Sequence, residues 1–328
     1  MFQKLIERCE SGELLTQEEA ILVLHKGLQS GELARVYAEA DRRARAYCNN
    51  RGRIGVSIGI DAAPCTRSCK FCSHGAAWGA YAEPFEYTVE EVLDIVRSVI
   101  PLKPNGFTLR TTQDYSIEKL CNMVREVKKL LPPEINVGVN TGELNLDEAL
   151  KIKKAGASGA YHAIRLREGC DTGISIEDRI KTLVALEKAG LAKSAAVEPL
   201  GPEHTDEEIV EAAFRTKPYH LQGGCVMARV PVPKTPLYEL GQVSKERHMR
   251  VLAMTRLIYG PETKRVACHP PFSEALKAGA SAVTVEYGAI PRDQGTADTH
   301  WRGFSIHDAR KLLTDQGFDN LEVFDNPV

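Results

Sequence analysis

No run in these 328 residues approaches the ~18 to 20 consecutive apolar residues that cross a bilayer, so no membrane span is expected. Neither sign of charge is in excess. The 42 lysines and arginines against 44 aspartates and glutamates leave a net charge of −2, which gives no electrostatic basis for nucleic acid as a partner. The opening Met1-Phe2-Gln3-Lys4 leads straight into an amphipathic segment without the apolar core of a signal peptide, and a cytoplasmic protein is expected. No fixed-period repeat and no linker interrupts the chain. A hydrophobic content of 43% is that of an ordinary globular core and indicates neither disorder nor a membrane class. Cysteine, by contrast, is plentiful: nine residues, which in an intracellular chain read as thiols and metal ligands instead of disulfides and fit a reducing, anaerobic cytoplasm.

Residues 1–50 read as helices, with Leu5, Ile6, Leu14, Leu15, Ala20, Ile21, Leu24 and Leu28 at helical spacing and Thr16-Gln17-Glu18-Glu19 as a capping box. From Ile54 onward short apolar runs alternate with amphipathic helices. Strands are expected at Ile54–Ile60, Phe107–Arg110, Ile135–Val139, Ala160–Arg165, Ala195–Leu200, Cys225–Val230, Arg265–Cys268 and Ala282–Glu286. Strict β/α alternation implies a parallel sheet, and eight units imply an α/β fold: a complete (β/α)8 TIM-type barrel over 51–328 behind a helical extension over 1–50. Chemistry in such a barrel sits at the C-terminal strand ends.

Just after the first expected strand stands Cys65-Thr66-Arg67-Ser68-Cys69-Lys70-Phe71-Cys72, three cysteines spaced C-x3-C-x2-C. Three thiolates on one loop hold three irons of a [4Fe-4S] cube and leave the fourth without a protein ligand, and an open metal position is what catalysis needs. A competing reading is zinc held by Cys65, Cys69, Cys72 and His74, although structural zinc sites usually draw on two separated ligand pairs. With the aromatic Phe71 before the last cysteine, the stretch resembles the C-x3-C-x-Φ-C pattern of radical S-adenosylmethionine (SAM) enzymes. The resemblance implies that the open iron binds the amino and carboxylate groups of SAM, and that reduction releases a 5′-deoxyadenosyl radical.

Similarity over most of the chain points to the branch containing biotin synthase, the [FeFe]-hydrogenase maturase HydE and methylornithine synthase, which also carry helices before a complete barrel. In Thr108-Leu109-Arg110-Thr111-Thr112-Gln113-Asp114, the pair Thr112-Gln113 stands where that branch has Gly-Glu near the SAM amino group. The segment Tyr161 to Glu168 and the following Glu177-Asp178-Arg179 look like the region gripping the SAM carboxylate and ribose, which implies roles for Arg165, Arg167 and above all Arg179. A guanidinium fork offers a carboxylate two parallel donors. Strand alternation puts Ala163, Arg165 and Arg167 on one side. Met227 to Leu237 resembles the segment running along the adenine, with Met227 and Val230 as packing residues.

Biotin synthase also holds an auxiliary [2Fe-2S] cluster on three cysteines and an arginine. The matching positions here, near Leu109, Val137 and Ser194, are not cysteine, and only Arg265 resembles the fourth ligand. A different auxiliary cluster on Cys170, Cys225 and Cys268 is the alternative, while Cys9, Cys48 and Cys121 read as packing residues. Polar residues at strand ends, His162, Glu198, Arg229, His269, Glu286 and Tyr287, are the substrate candidates. The leading expectation is a radical SAM enzyme abstracting hydrogen from a small polar substrate, served by an electron donor such as flavodoxin or ferredoxin. Sulfur insertion using an auxiliary cluster competes with it, as does a zinc-stabilised binding protein without SAM chemistry.

Overall fold

The computed structural model describes residues 2–80, 84–292, 303–319 and 321. Three helices come first: α1 (Phe2–Ser11), α2 (Gln17–Leu24) and α3 (Ser30–Tyr47). The capping box expected at Thr16 is present, its hydroxyl accepting from the Glu19 amide while the Glu19 carboxylate takes the Thr16 amide, which satisfies two of the orphan donors at a helix start. Buried Arg43 of α3 ties these helices together, donating to Glu39 at 2.7 Å and to the carbonyls of Cys9 and Glu13 at 2.8 and 3.0 Å.

Eight strands follow in alternation with helices: β1 (Arg53–Gly59), α4 (Val89–Val99), β2 (Gly106–Arg110), α5 (Ile117–Leu130), β3 (Asn136–Asn140), α6 (Leu146–Lys154), β4 (Gly159–Tyr161), α7 (Ile176–Lys188), β5 (Ala192–Leu200), α8 (Asp206–Thr216), β6 (Gly223–Ala228), α9 (Lys245–Ile258), β7 (Arg265–His269), α10 (Ser273–Leu276), β8 (Ala282–Gly288) and α11 (Ile306–Asp315). All neighbours pair in parallel and β8 returns to β1, closing the barrel. The expected TIM-type architecture is therefore the observed one. The N-terminal helices lie against α9, where Arg250 donates to the His25 carbonyl at 3.0 Å and the Leu15 amide to the Leu257 carbonyl at 3.2 Å.

One expected strand is much shorter than its sequence suggests. β4 ends at Tyr161 instead of Arg165, because the Glu168 carboxylate takes the Arg165 amide at 2.8 Å and turns the chain out of the ladder. A left-handed Arg167 (φ 52°) completes the turn, so Arg167 does not continue the alternation of Ala163 and Arg165.

The core lies between the sheet and the helices, where outward-facing Ile54, Val56 and Ile58 of β1 and Val283 and Val285 of β8 are buried. Inward positions are small: Gly55, Gly106, Gly138, Gly159, Gly223, Ala267 and Ala282 all line a central cavity of about 630 Å³. Closure itself depends on glycine. Gly59 of β1 and Gly288 of β8 are register partners; a Cβ on either would run into backbone, the Ala289 carbonyl for Gly59 and the Gly59 carbonyl for Gly288, which also needs φ +69°.

Replacing Gly59 with Ala should therefore cost about 2–3 kcal/mol through forced separation of β1 from β8. Gly31→Ala in α3, which meets nothing within 4 Å, should gain up to about 1 kcal/mol of helix propensity. Thermal melts of both variants check the contrast; equal midpoints would refute the seam argument.

Candidate active site

Beyond β1 the chain passes Asp61, which is buried and accepts from the Thr112 amide at 2.8 Å and from the Thr112 hydroxyl. This clamps the end of β1 to the end of β2. It also means that Thr112, expected near SAM, spends its hydroxyl on Asp61. Burial raises the Asp61 carboxyl above the usual carboxylate range against the opposing pull of the Thr112 bonds.

The cysteine loop then folds back on itself. The Cys65 amide donates to the His74 carbonyl at 2.7 Å, the Ala76 amide to the Cys65 carbonyl at 3.0 Å, and the Trp78 indole to the Cys69 carbonyl at 3.0 Å. Three other loops hold it in place: Lys70 bonds the Asp171 carbonyl at 2.9 Å and the Asp171 carboxylate at 3.0 Å, the Lys70 carbonyl accepts from Leu237, and Ser73 donates to Pro291. Cys65, Cys69, Cys72 and Phe71 all line the central cavity. The thiols also feel one another. Cys72 is pushed up to about 12, first by burial and then by Cys69, and Cys69 is raised by burial and by Cys65. Thiols so placed ionise when a cation takes them as ligands.

Among the described residues no three of His, Cys, Asp or Glu converge on a point that a single ion would occupy. The Cys3His zinc set is thus not gathered. The ring of His74 is buried beside Arg110 and Arg292, and burial first, then Arg110, lowers its pKa to about 3. A cube with one thiolate per iron asks for no common point, and three thiols at one mouth fit it.

Around the mouth runs a chain of hydrogen bonds and ion pairs, buried at Arg179 and Glu168. Gln113 donates to Glu143; Glu143 pairs with Arg179 at 2.7 Å; Arg179 pairs with Glu168 at 3.0 Å; and Glu168 accepts from Thr172 and the Arg165 amide. Arg165 in turn lies 3.4 Å from Glu198. Gln113, Arg165, Arg179 and Glu198 all line the cavity, as do Met227 and Val230. Arg179, which looks like a surface residue on its helix, is only 3% exposed. Arg167 is not in this group: its fork meets Glu208 of α8 at 2.9 Å, away from the cavity.

Of the substrate candidates, His162, Glu198, His269 and Glu286 line the cavity, and Tyr287 does not, because alternation turns it outward next to Glu286. Arg229 reaches the cavity but its guanidinium is taken by Glu203 and by the Gly241 carbonyl at 3.1 Å, bracing the loops after β5 and β6. His162 is buried with no hydrogen-bond partner on Nε2, and burial, then Arg179 and Arg165, holds it well below the usual histidine range. Sequence reasoning missed the partners. Arg110 donates to Ser57 and Glu286, both at 2.9 Å, and Arg292 also bonds Glu286, while His269 lies 3.4 Å from it. The loop after β3 carries a Gly-Glu pair of its own, Gly142-Glu143, and the Glu143 carboxylate accepts from Gln113.

The proposed auxiliary set is not brought together. Cys225 pairs in register with Ala267 and faces the cavity; Cys268, one residue on, faces out, 3.7 Å from His248 of α9; and Cys170 is exposed in the loop after β4. A strand period of two forbids adjacent register positions from sharing a face.

Comparison with known proteins gives the class. Residues 63–215 match the radical SAM superfamily. In sequence the chain is 25% identical over 267 residues to a biotin synthase of Hydrogenobaculum sp. (strain Y04AAS1), covering 79% of this chain and 80% of that one. In fold it superposes on the [FeFe]-hydrogenase maturase HydG (TM-score 0.78, 14% identity, 97% of this chain and 75% of that one). It also superposes on methylornithine synthase, PylB (TM-score 0.76, 17% identity, 95% and 96%). The chain thus carries a radical SAM domain, and over most of its length its sequence is biotin synthase-like.

The buried imidazoles make stability depend on pH. A free histidine takes up its proton near 6.5, whereas His269 in the fold resists until about 4, chiefly through burial and then Arg292. The unfolded chain binds more protons between those values, so stability falls as pH drops through that window, by about 2 kcal/mol at pH 5 from this residue. His248, lowered to about 4, adds with the same sign. Urea midpoints of wild type and His269→Gln near pH 8 and pH 5 should show a shallower pH dependence in the variant; parallel shifts would contradict the assignment.

Proposed function

We propose that Cys65, Cys69 and Cys72 hold a [4Fe-4S] cluster that binds SAM, and that the barrel lumen is the chamber in which a small polar substrate loses a hydrogen atom. The observation that carries this is three thiols on one loop at the mouth of a cavity of about 630 Å³. When bound, the cluster supplies an electron to the SAM sulfonium and so a 5′-deoxyadenosyl radical, the chemistry general to the superfamily.

The chain's own part is binding and exclusion. Arg179, fixed between Glu143 and Glu168, and Arg165, held near Glu198, present guanidinium edges where the family resemblance puts the SAM carboxylate. Gln113 and the Glu143 it contacts offer acceptors for the amino group. Met227 and Val230 line the side assigned to the adenine. Next to Met227, whose register partner is His269, the group of Arg110, His269 and Glu286 leaves polar edges to orient a substrate head group. The helices of residues 1–50 act in this reading as an extension bracing the barrel at α9, and a low-potential carrier such as flavodoxin or ferredoxin serves the cytoplasmic enzyme.

Rearrangement or fragmentation, in making a cofactor or unusual amino acid, is the reading favoured over sulfur insertion. Sulfur insertion asks for a second sulfur source in the lumen, and of Cys170, Cys225 and Cys268 only Cys225 faces it.

Anaerobic reconstitution should give about four irons and four sulfides per chain. Reduction with SAM present should then yield 5′-deoxyadenosine. The Cys65/Cys69/Cys72→Ala triple variant should lose all iron and all product. Iron persisting in that variant would bring sulfur insertion forward, and a wild type that binds zinc and cleaves no SAM would end the radical reading.

A further inference from the structure

The lumen is layered, and its middle layer is unlike its ends. Because inward residues recur every second position and the strands are tilted, each layer takes its residues from alternate strands, and two successive layers together draw on all eight. The upper end is charged, with Arg110, Glu198, His269 and Glu286; the lower carries Arg53 and Arg265. Two residues below Arg110 lies Thr108, two below Glu286 lies Thr284, and four below Glu198 lies Ser194, while Cys225 occupies the middle of β6. All four line the cavity, and the middle positions between them, Gly55, Gly138 and Ala267, have no polar side chain and no bulk.

The Thr108, Ser194 and Thr284 hydroxyls are partly accessible from the cavity and make no hydrogen bond to the described residues, whereas the buried hydroxyls of Thr216, Thr235, Thr255 and Thr263 are bonded within the fold. Just above them, His162 presents an imidazole nitrogen that is buried and unpartnered. Buried polar groups are normally satisfied, so the orphaned His162 nitrogen calls for a ligand partner, and the three hydroxyls, partly accessible from the cavity, offer further donors and acceptors to the same ligand. An apolar ligand would leave each of them unpaired, and the charges that would match an ionised group stand at the two ends of the lumen, Arg110 and Glu286 above and Arg53 and Arg265 below, not within the belt. Neutral groups that both give and accept hydrogen bonds match hydroxyls one for one.

We propose that the middle of the lumen is a binding belt for a neutral, multiply hydroxylated moiety, a polyol or sugar-like portion of the substrate, recognised by Thr108, Ser194, Thr284 and His162. The proposal rests on the reading of the lumen as the substrate chamber. It adds that the substrate is hydroxyl-rich over the part lying deepest in the barrel, whatever head group meets the charged rim.

Four six-carbon probes test it on the anaerobically reconstituted protein: D-mannitol, 1-hexanol, hexanoate and hexylammonium, compared by saturation-transfer NMR. Mannitol should give the strongest transfer. The Thr108→Val/Thr284→Val double variant keeps shape and removes two hydroxyls, and should weaken mannitol by about tenfold while leaving 1-hexanol unchanged or stronger. Ser194→Ala should weaken mannitol on its own, which keeps the test decisive if the double variant does not fold. The belt is refuted if wild type binds no mannitol, if 1-hexanol or either charged probe binds better, or if folded variants bind mannitol like wild type. 5′-Deoxyadenosine formation on the same samples is read separately: mannitol binding without SAM cleavage removes the radical reading and keeps the belt, and cleavage without mannitol binding does the reverse.

Discussion

A parallel barrel is ordinarily filled by its own side chains, layers of branched residues packing across the axis. Here glycine and alanine occupy so many inward positions that the axis is left open, and the usual interior contribution to stability goes with it. Everything else in the structure follows from that choice. The apolar surface that holds the sheet is all on its outer face, against the helices. Ring closure falls to backbone contact, with β1 and β8 approaching so closely at Gly59 and Gly288 that no side chain fits between them. The three N-terminal helices extend the outer layer at α9, adding buried area where a hollow barrel needs it.

An open interior also has to carry charge without a packed surround. The solution is pairing in series: Gln113, Glu143, Arg179, Glu168 and Arg165 each hold the next, so that no member depends on solvent for its partner. Removing one partner of a buried pair typically costs about 3–5 kcal/mol because the other is left uncompensated. Such a chain gains rigidity at the expense of tolerance to substitution, which suits a rim that must present fixed hydrogen-bonding edges.

The parts of this arrangement that were legible in the sequence are those written locally. The spacing of Cys65, Cys69 and Cys72 and the alternation of short apolar runs with capped helices are read within a window of a few turns, and both led to the observed loop and barrel. What escaped is written across the ring. Arg110 and Glu286 are 176 residues apart and meet only because β1 lies between β2 and β8. The expectation of one face for Arg165 and Arg167 failed on a single left-handed residue, and the grouping of Cys225 with Cys268 failed on register parity, which no single strand reveals. Arg179 reads as surface on its own helix, and its burial comes from Glu143 and Glu168 on two other loops.

The anchoring of the cysteine loop has a consequence for the order in which the molecule is made. Its backbone is bonded to Asp171, Leu237 and Pro291, which leave the ribosome about 100, 165 and 220 residues after Cys72. A nascent chain that has exposed only the cysteines has the thiols but not the walls that hold them, and loop closure over such distances is slow and entropically opposed until the strands between have paired. Ordering of the cysteine loop in this protein is thus a late event in folding, following ring closure at β8, and a chain truncated before Pro291 carries the complete cysteine motif without the means to fix it.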